Sequence, residues 1–238
     1  MAEYLLTLDT STPAGSVALS CGEQLIGEIL LQLPSTHSER LLPAVQQLLK
    51  EAGLRLSDLE AFGVVLGPGS FTGLRVGVAT VKGLALATGK PVVGVSSLHT
   101  LALQVPCPAH ALSVWIDARK QEVYAGRYGW ETGFPALIGK EIVAPPDRLL
   151  EQISEETIFI GSGTEAYRSL IVRRLGSRAH FAPWALQHPR ASAAALLALA
   201  ALRNRETIAL ELLEPRYIRL AEAEIMLSRR AGDNPIQG

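Results

Sequence analysis

Two cysteines in 238 residues, Cys21 and Cys107, are too few for a disulfide framework and lack the spacing of a cysteine metal site. They read as reduced thiols of a cytoplasmic protein. The net charge of −1 removes the broad basic face of a nucleic-acid binder, although a local patch is compatible with it. No apolar run reaches membrane-spanning length, and the Ala/Leu-rich stretch 191–202 is too short. The first residues carry no basic segment of the kind that opens a secretory leader. The motifs G-x-x-x-x-G-K-[ST], H-E-x-x-H and G-x-S-x-G are absent, and the dinucleotide pattern G-x-G-x-x-G fails at Thr72.

What is present is a globular composition, 48% hydrophobic and 19% charged, with enough apolar residues for a large core. The chain is organised around Gly67-Pro-Gly-Ser-Phe-Thr-Gly-Leu-Arg-Val-Gly77. This stretch follows an apolar run at 62–66 and opens a helix to about Thr88, with Gly89 as its stop. Gly67, Gly69 and Gly73 suit a loop whose backbone approaches a ligand such as a phosphate, or equally a tight turn in close packing. Gly73 and Gly77 lie four apart on one helical face.

Taken in order, 4–10, 16–20 and 25–33 read as an antiparallel meander. Thr36 and Glu39 fit a capping box for a helix that stops at Gly53. Its apolar stripe is Leu41, Leu42, Val45, Leu48, Leu49 and Ala52, and Pro43 implies either a start near Leu42 or a bend. Strand 62–66, helix 73–88 and strand 92–95 complete the order β-β-β-α-β-α-β. After a proline-containing linker at 104–109 the order returns: strands 111–118, 122–130 and 136–143, a helix to about 154, strand 157–160, helix 164–175, strand 178–181, then helix 191–203. The expected domains are therefore 1–103 and 104–238, the second ending in a polar, mobile tail at 229–238.

The duplication makes Asp9 and Asp117 equivalent strand ends, and the glycine turns at 67–69 and 161–163 equivalent loops. It implies an α/β fold of two ribonuclease-H-like lobes facing a cleft, the architecture of the actin, Hsp70 and sugar kinase superfamily. Leu8-Asp-Thr-Ser11, Thr36-His-Ser-Glu-Arg-Leu-Leu-Pro43, the 67–77 stretch, Gly94-Val-Ser-Ser-Leu98, Asp117-Ala-Arg119 and Pro215-Arg-Tyr-Ile-Arg219 resemble the TsaB family, formerly YeaZ. The resemblance spans nearly the whole chain. It implies a cytoplasmic, non-catalytic subunit of the machinery that makes threonylcarbamoyladenosine in tRNA. Such a subunit pairs with the catalytic paralog TsaD, helps recruit the ATPase TsaE, and meets tRNA only indirectly. Without TsaD, the same self-complementary surface could pair two copies as a homodimer. Older naming groups the family with glycoproteases.

The residues bear on whether this chain is itself a catalyst. The catalytic paralog carries two histidines four apart on a helix after a Gly-Val strand end. Here the matching positions are Ser97 and Leu101, and leucine cannot ligate a metal. His99 and His37 have no ligand partner at helical spacing, and His188 reads as a loop residue. No metal and no tightly held cofactor are expected. Asp9, Thr10, Ser11, Gly67, Gly69, Ser70, Asp117, Gly161 and Gly163 are the candidate residues of a degenerate nucleotide cleft with weak residual binding. Ser70 reads as a helix cap, and Thr10 and Ala118 stand where the superfamily has glycine after its aspartates. The partner helices are expected to present Leu41, Val45, Leu48, Gly73, Gly77, Val81 and Leu84. Competing readings are a phosphotransferase using the cleft, a peptidase, and tRNA binding through Arg168, Arg173, Arg174 and Arg178, with Arg216 and Arg219 further on.

Overall fold

A computed structural model describes residues 3–33, 35–131 and 133–219. The expected tail at 229–238 lies outside the described residues.

Hydrophobic runs alternate with glycine stops, and the chain follows them. Strands β1 (Tyr4–Asp9), β2 (Gly15–Cys21) and β3 (Gln24–Leu31) form the antiparallel meander. Helix α1 (His37–Ala52) leads to β4 (Ala61–Gly67), α2 (Phe71–Thr88) and β5 (Val92–Ser96). Strand β1 pairs parallel with β4, and β4 with β5, giving a five-stranded sheet of order β3-β2-β1-β4-β5. Helix α1 starts at His37 with the Thr36–Glu39 box in place, the Thr36 N–H donating to Glu39 at 2.9 Å. It runs through Pro43, which faces solvent, where water can reach the carbonyl that proline leaves unbonded.

After α3 (Ser97–Leu103) the pattern repeats with β6 (Ala111–Asp117), β7 (Val123–Glu131), β8 (Phe134–Ala144), α4 (Pro146–Leu150), β9 (Thr157–Ile160), α5 (Ser162–Ala166), α6 (Arg168–Leu175) and β10 (Ala179–Phe181). The second sheet has order β8-β7-β6-β9-β10, the same plan as the first. The helix expected over 164–175 is two helices, broken at Tyr167, and the one expected to reach 154 ends at Leu150.

The last helix of each half departs from the expected domain boundary. Helix α3 covers the second sheet, with Leu98, Leu101 and Ala102 in one core with Leu112, Val114 and Ile116. Helix α7 (Ala191–Arg203) covers the first, with Ala195, Ala198 and Leu199 against Leu5, Ala61 and Val93. The two lobes thus exchange helices, and the segment after residue 190 returns to the first lobe rather than extending the second. Glu28 of β3 fixes the return. Its carboxylate accepts from the Ser192 N–H at 2.9 Å, at the positive end of α7, and from Arg190 at 2.6 and 2.9 Å. Among the described residues, no helix is long and apolar enough to cross a membrane.

Candidate functional site

The lobes enclose a cleft of about 750 Å³, within the size range of small-molecule sites. The first lobe supplies Ser11, Thr12, Gly69, Ser70 and Phe71; the second supplies Asp117, Arg119, Lys120, Tyr124, Ser162, Glu165 and His188. Tyr217 and Arg219 close one side.

The two acidic turns are built alike. Asp9 accepts from the Ser11 N–H at 2.8 Å, and Asp117 from the Arg119 N–H at 2.9 Å. Gly67, at φ 119°, ends β4, and Gly161, at φ 107°, directly follows the equivalent strand β9. The expected pairing of these four positions is therefore present. Their exposure is not equal. Asp117 lines the cleft, whereas Asp9 is fully buried behind Ser11. Burial pushes the Asp9 carboxyl up to about 6, against hydrogen bonds from Ser11 and Thr10 that lower it. Its second oxygen meets no donor among the described residues. Of the nine expected cleft residues, Ser11, Gly69, Ser70 and Asp117 reach the cavity; Asp9, Thr10, Gly67, Gly161 and Gly163 lie behind its wall. The same backbone role leaves Asp117 at the cavity and Asp9 beneath it, so the turn motif alone does not decide which residue is exposed.

The glycine turn is closed by its own lobe. The Ser70 N–H donates to the Ser11 carbonyl at 2.7 Å, and the Thr10 hydroxyl donates to the Gly73 carbonyl at 2.7 Å. A Cβ on Gly69 would overlap the Ser11 carbonyl oxygen, and one on Gly73 the Thr10 carbonyl oxygen. Gly77 is likewise filled by the Thr10 side chain. These glycines let the β1–β2 turn lie against α2. Ser70 caps α2, accepting from the Gly73 N–H at 3.2 Å.

The segment 215–219 straps the lobes together, a role the sequence left open. The Arg216 N–H donates to the Leu66 carbonyl at 2.7 Å, and its guanidinium lies 3.5 Å from Glu141 of β8. Tyr217 stacks on Phe71 at 5.1 Å, with Arg75 lying 3.8 Å over the Phe71 ring. Arg219 donates to the Ala118 carbonyl at 2.8 Å and pairs with Glu122. Glu141 also accepts from Ser96 and, at 2.8 Å, from Tyr128. Burial and that carboxylate push the Tyr128 phenol far up, so it stays a donor. Beside this cluster His99 reaches the Pro135 carbonyl at 2.9 Å, and Ser97 the Pro68 carbonyl at 2.5 Å.

The expected partner stripe is core. Leu41, Val45, Leu48, Gly73, Gly77 and Val81 are buried within the first lobe, and Leu84 is half-buried against the same cluster. An apolar stripe marks the inward side of a surface helix. The outward side carries Leu42, Ala79, Gly83 and Leu86, the last 78% exposed. The expected arginine patch is divided among local contacts: Arg168 stacks on Phe181, Arg174 pairs with Asp147, and Arg178 donates to the Ser154 carbonyl.

A duplicated β-β-β-α-β-α-β lobe around a cleft defines an actin-like, two-lobed protein. Component A of Acidaminococcus fermentans (R)-2-hydroxyglutaryl-CoA dehydratase shares that fold at TM-score 0.52 and 12% identity, over 85% of this chain and 100% of that one. The family model TsaD, described as tRNA N6-adenosine threonylcarbamoyltransferase, matches residues 32–227. The Bacillus subtilis (strain 168) tRNA threonylcarbamoyladenosine biosynthesis protein TsaB is 33% identical over 92% of this chain and 96% of its own. YeaZ from Pseudomonas aeruginosa superposes at TM-score 0.78 with 36% identity, covering 90% of this chain and 99% of that structure. The chain belongs to the TsaB family, formerly YeaZ.

Proposed function

We propose that this chain serves tRNA threonylcarbamoyladenosine biosynthesis as a non-catalytic activating subunit. It pairs with the catalytic paralog TsaD in the cytoplasm and contributes to the surface on which the ATPase TsaE docks. The observation that carries the non-catalytic reading is the closed glycine turn. The Ser11 carbonyl takes the Ser70 N–H that a phosphate would need, and Asp9 is sealed behind it. A cleft with its first-lobe donors so committed holds a nucleotide weakly.

Pairing then falls to the outer face of α1 and α2. Leu42, Ala79, Gly83 and Leu86 give it apolar area and small residues that permit close helix approach. Binding there favours one TsaD conformation by differential contacts, a shift of population. When TsaD is absent, the same face against a second copy makes a two-fold homodimer.

The test is an add-back assay. Purified TsaD and TsaE, supplied with tRNA and the threonylcarbamoyl-adenylate that TsaC makes, form the modified nucleoside only when this chain is added. Equal activity without it overturns the proposal. Tight magnesium-dependent ATP binding by the chain alone would move the phosphotransferase reading to the front.

A further inference from the structure

The outer end of the second sheet gathers three metal-ligating side chains from three strands. In the parallel ladder Ala111 of β6 and Ala179 of β10 both pair with Thr157 of β9. His110 and Glu156 each precede one of these paired residues, so they sit side by side at the strand entrances. His180 pairs with Ile158, two residues beyond Glu156 and on the same face of the sheet. Register alone therefore brings the two histidines and the glutamate together.

The side chains meet as the register requires. The His110 and His180 Nε2 atoms lie 3.0 and 3.7 Å from the same Glu156 carboxylate oxygen, and all three donor atoms fall within 4.8 Å of one another. Ligand atoms at 2.0–2.2 Å around a tetrahedral zinc ion stand about 3.4 Å apart, so the spacing suits that ion. The rings stack at 5.0 Å and 12° between planes. Placing both lone pairs on one ion requires one ring to turn, and His180, with its side chain 44% exposed, has room.

We propose that His110, Glu156 and His180 form a binding site for a zinc-class divalent cation. Two imidazoles and one carboxylate select zinc, copper or nickel over magnesium or calcium, which prefer oxygen ligands. Half-exposed ligands leave further coordination positions to water. The ion ties the entrances of β6, β9 and β10, and so staples the three-residue edge strand β10 to the interior of its sheet. It binds far from the interlobe cleft residues named above, none of which belongs to the set.

The experiment uses the full chain after EDTA treatment, titrated calorimetrically with zinc chloride. One equivalent is expected to bind with a dissociation constant of about 1–10 μM, weakened at least about tenfold by His110→Ala or His180→Ala. In proton NMR, the ring signals of His110 and His180 shift with zinc, while those of His37 and His99, held on the Thr12 and Pro135 carbonyls, stay. Because the three side chains are partly exposed, these variants keep the wild-type circular dichroism spectrum, so lost binding is not lost folding. Absence of stoichiometric binding at about 100 μM zinc, or undiminished binding by a variant carrying both His110→Ala and His180→Ala, overturns the assignment.

Discussion

Replacing Gly69 by alanine separates a packing role for the glycine motif from a phosphate-binding one. The added methyl would overlap the Ser11 carbonyl oxygen and stand 2.9 Å from the carbonyl carbon, closer than real Cβ contacts come. The β1–β2 turn must move away, which breaks the 2.7 Å Ser70–Ser11 hydrogen bond. Losing that bond costs about 1 kcal/mol, and overpacking a tight site costs about 1–3 kcal/mol more. The expected destabilisation is about 2–4 kcal/mol, or about 5–15 °C in melting temperature for a chain of this size. Gly83, on the same helix, is the control. A Cβ there meets nothing within 4 Å, so Gly83→Ala should stabilise by about 0.5–1 kcal/mol through helix propensity. Calorimetry and urea denaturation followed by circular dichroism read both variants. If Gly69→Ala melts with the wild type, the turn is not held by the close contact described, and the closed-cradle reasoning fails with it.

Other outcomes follow from the same geometry. Asp9, with its folded pKa raised to about 6 from 3.8, holds a proton that the unfolded chain has lost between those values. Its contribution therefore falls as pH rises from 4 to 6 and is flat above, by roughly 3 kcal/mol in all. Asp9→Asn should remove that slope from a pH series of denaturation curves, and an unchanged slope would refute the buried-acid account. Leu48→Asp places a charge in the first core and should unfold the lobe. Leu86→Asp, at a side chain 78% exposed, should change stability by less than about 0.5 kcal/mol yet abolish co-purification with TsaD. Retained pairing would exclude the outer face. Arg190→Ala removes the guanidinium from the nearly buried Glu28 carboxylate; because the Arg190 side chain is itself 42% exposed and the Ser192 N–H remains, it should cost about 1–3 kcal/mol by denaturation, and a neutral result would show that the Ser192 N–H suffices.

Much of the fold was legible because its signals are local. The capping box at Thr36 and Glu39, the stops at Gly53 and Gly89, and the repeated strand order are each written within a few residues. Which sheet a helix covers is not local. The Ala/Leu-rich composition of α7 says that it is buried, but its anchor is Glu28, 162 residues before Arg190. The cleft was half legible: paired aspartates and glycine turns located it, while packing between segments far apart in sequence decided that five of nine candidates sit behind its wall. The apolar stripe of α1 has the same pattern whether it meets a partner or its own sheet, and the lobe uses it for its own core. Histidines 110 and 180 share no spacing that periodicity detects, and only strand register joins them.

The exchange of α3 and α7 dictates an order of assembly during synthesis. When residue 103 leaves the ribosome, the first sheet has one face covered by α1 and α2, but Leu5, Ala61 and Val93 still await Ala195, Ala198 and Leu199. At about 5–20 residues added per second, that bare face persists for several seconds, a window in which a nascent chain is open to chaperones or to aggregation. The α3 residues Leu98, Leu101 and Ala102 await the second sheet in the same way. Neither half can be expressed alone as a finished domain, and a stop codon before α7 would leave one face of the first sheet bare and would delete the strap at 215–219 as well.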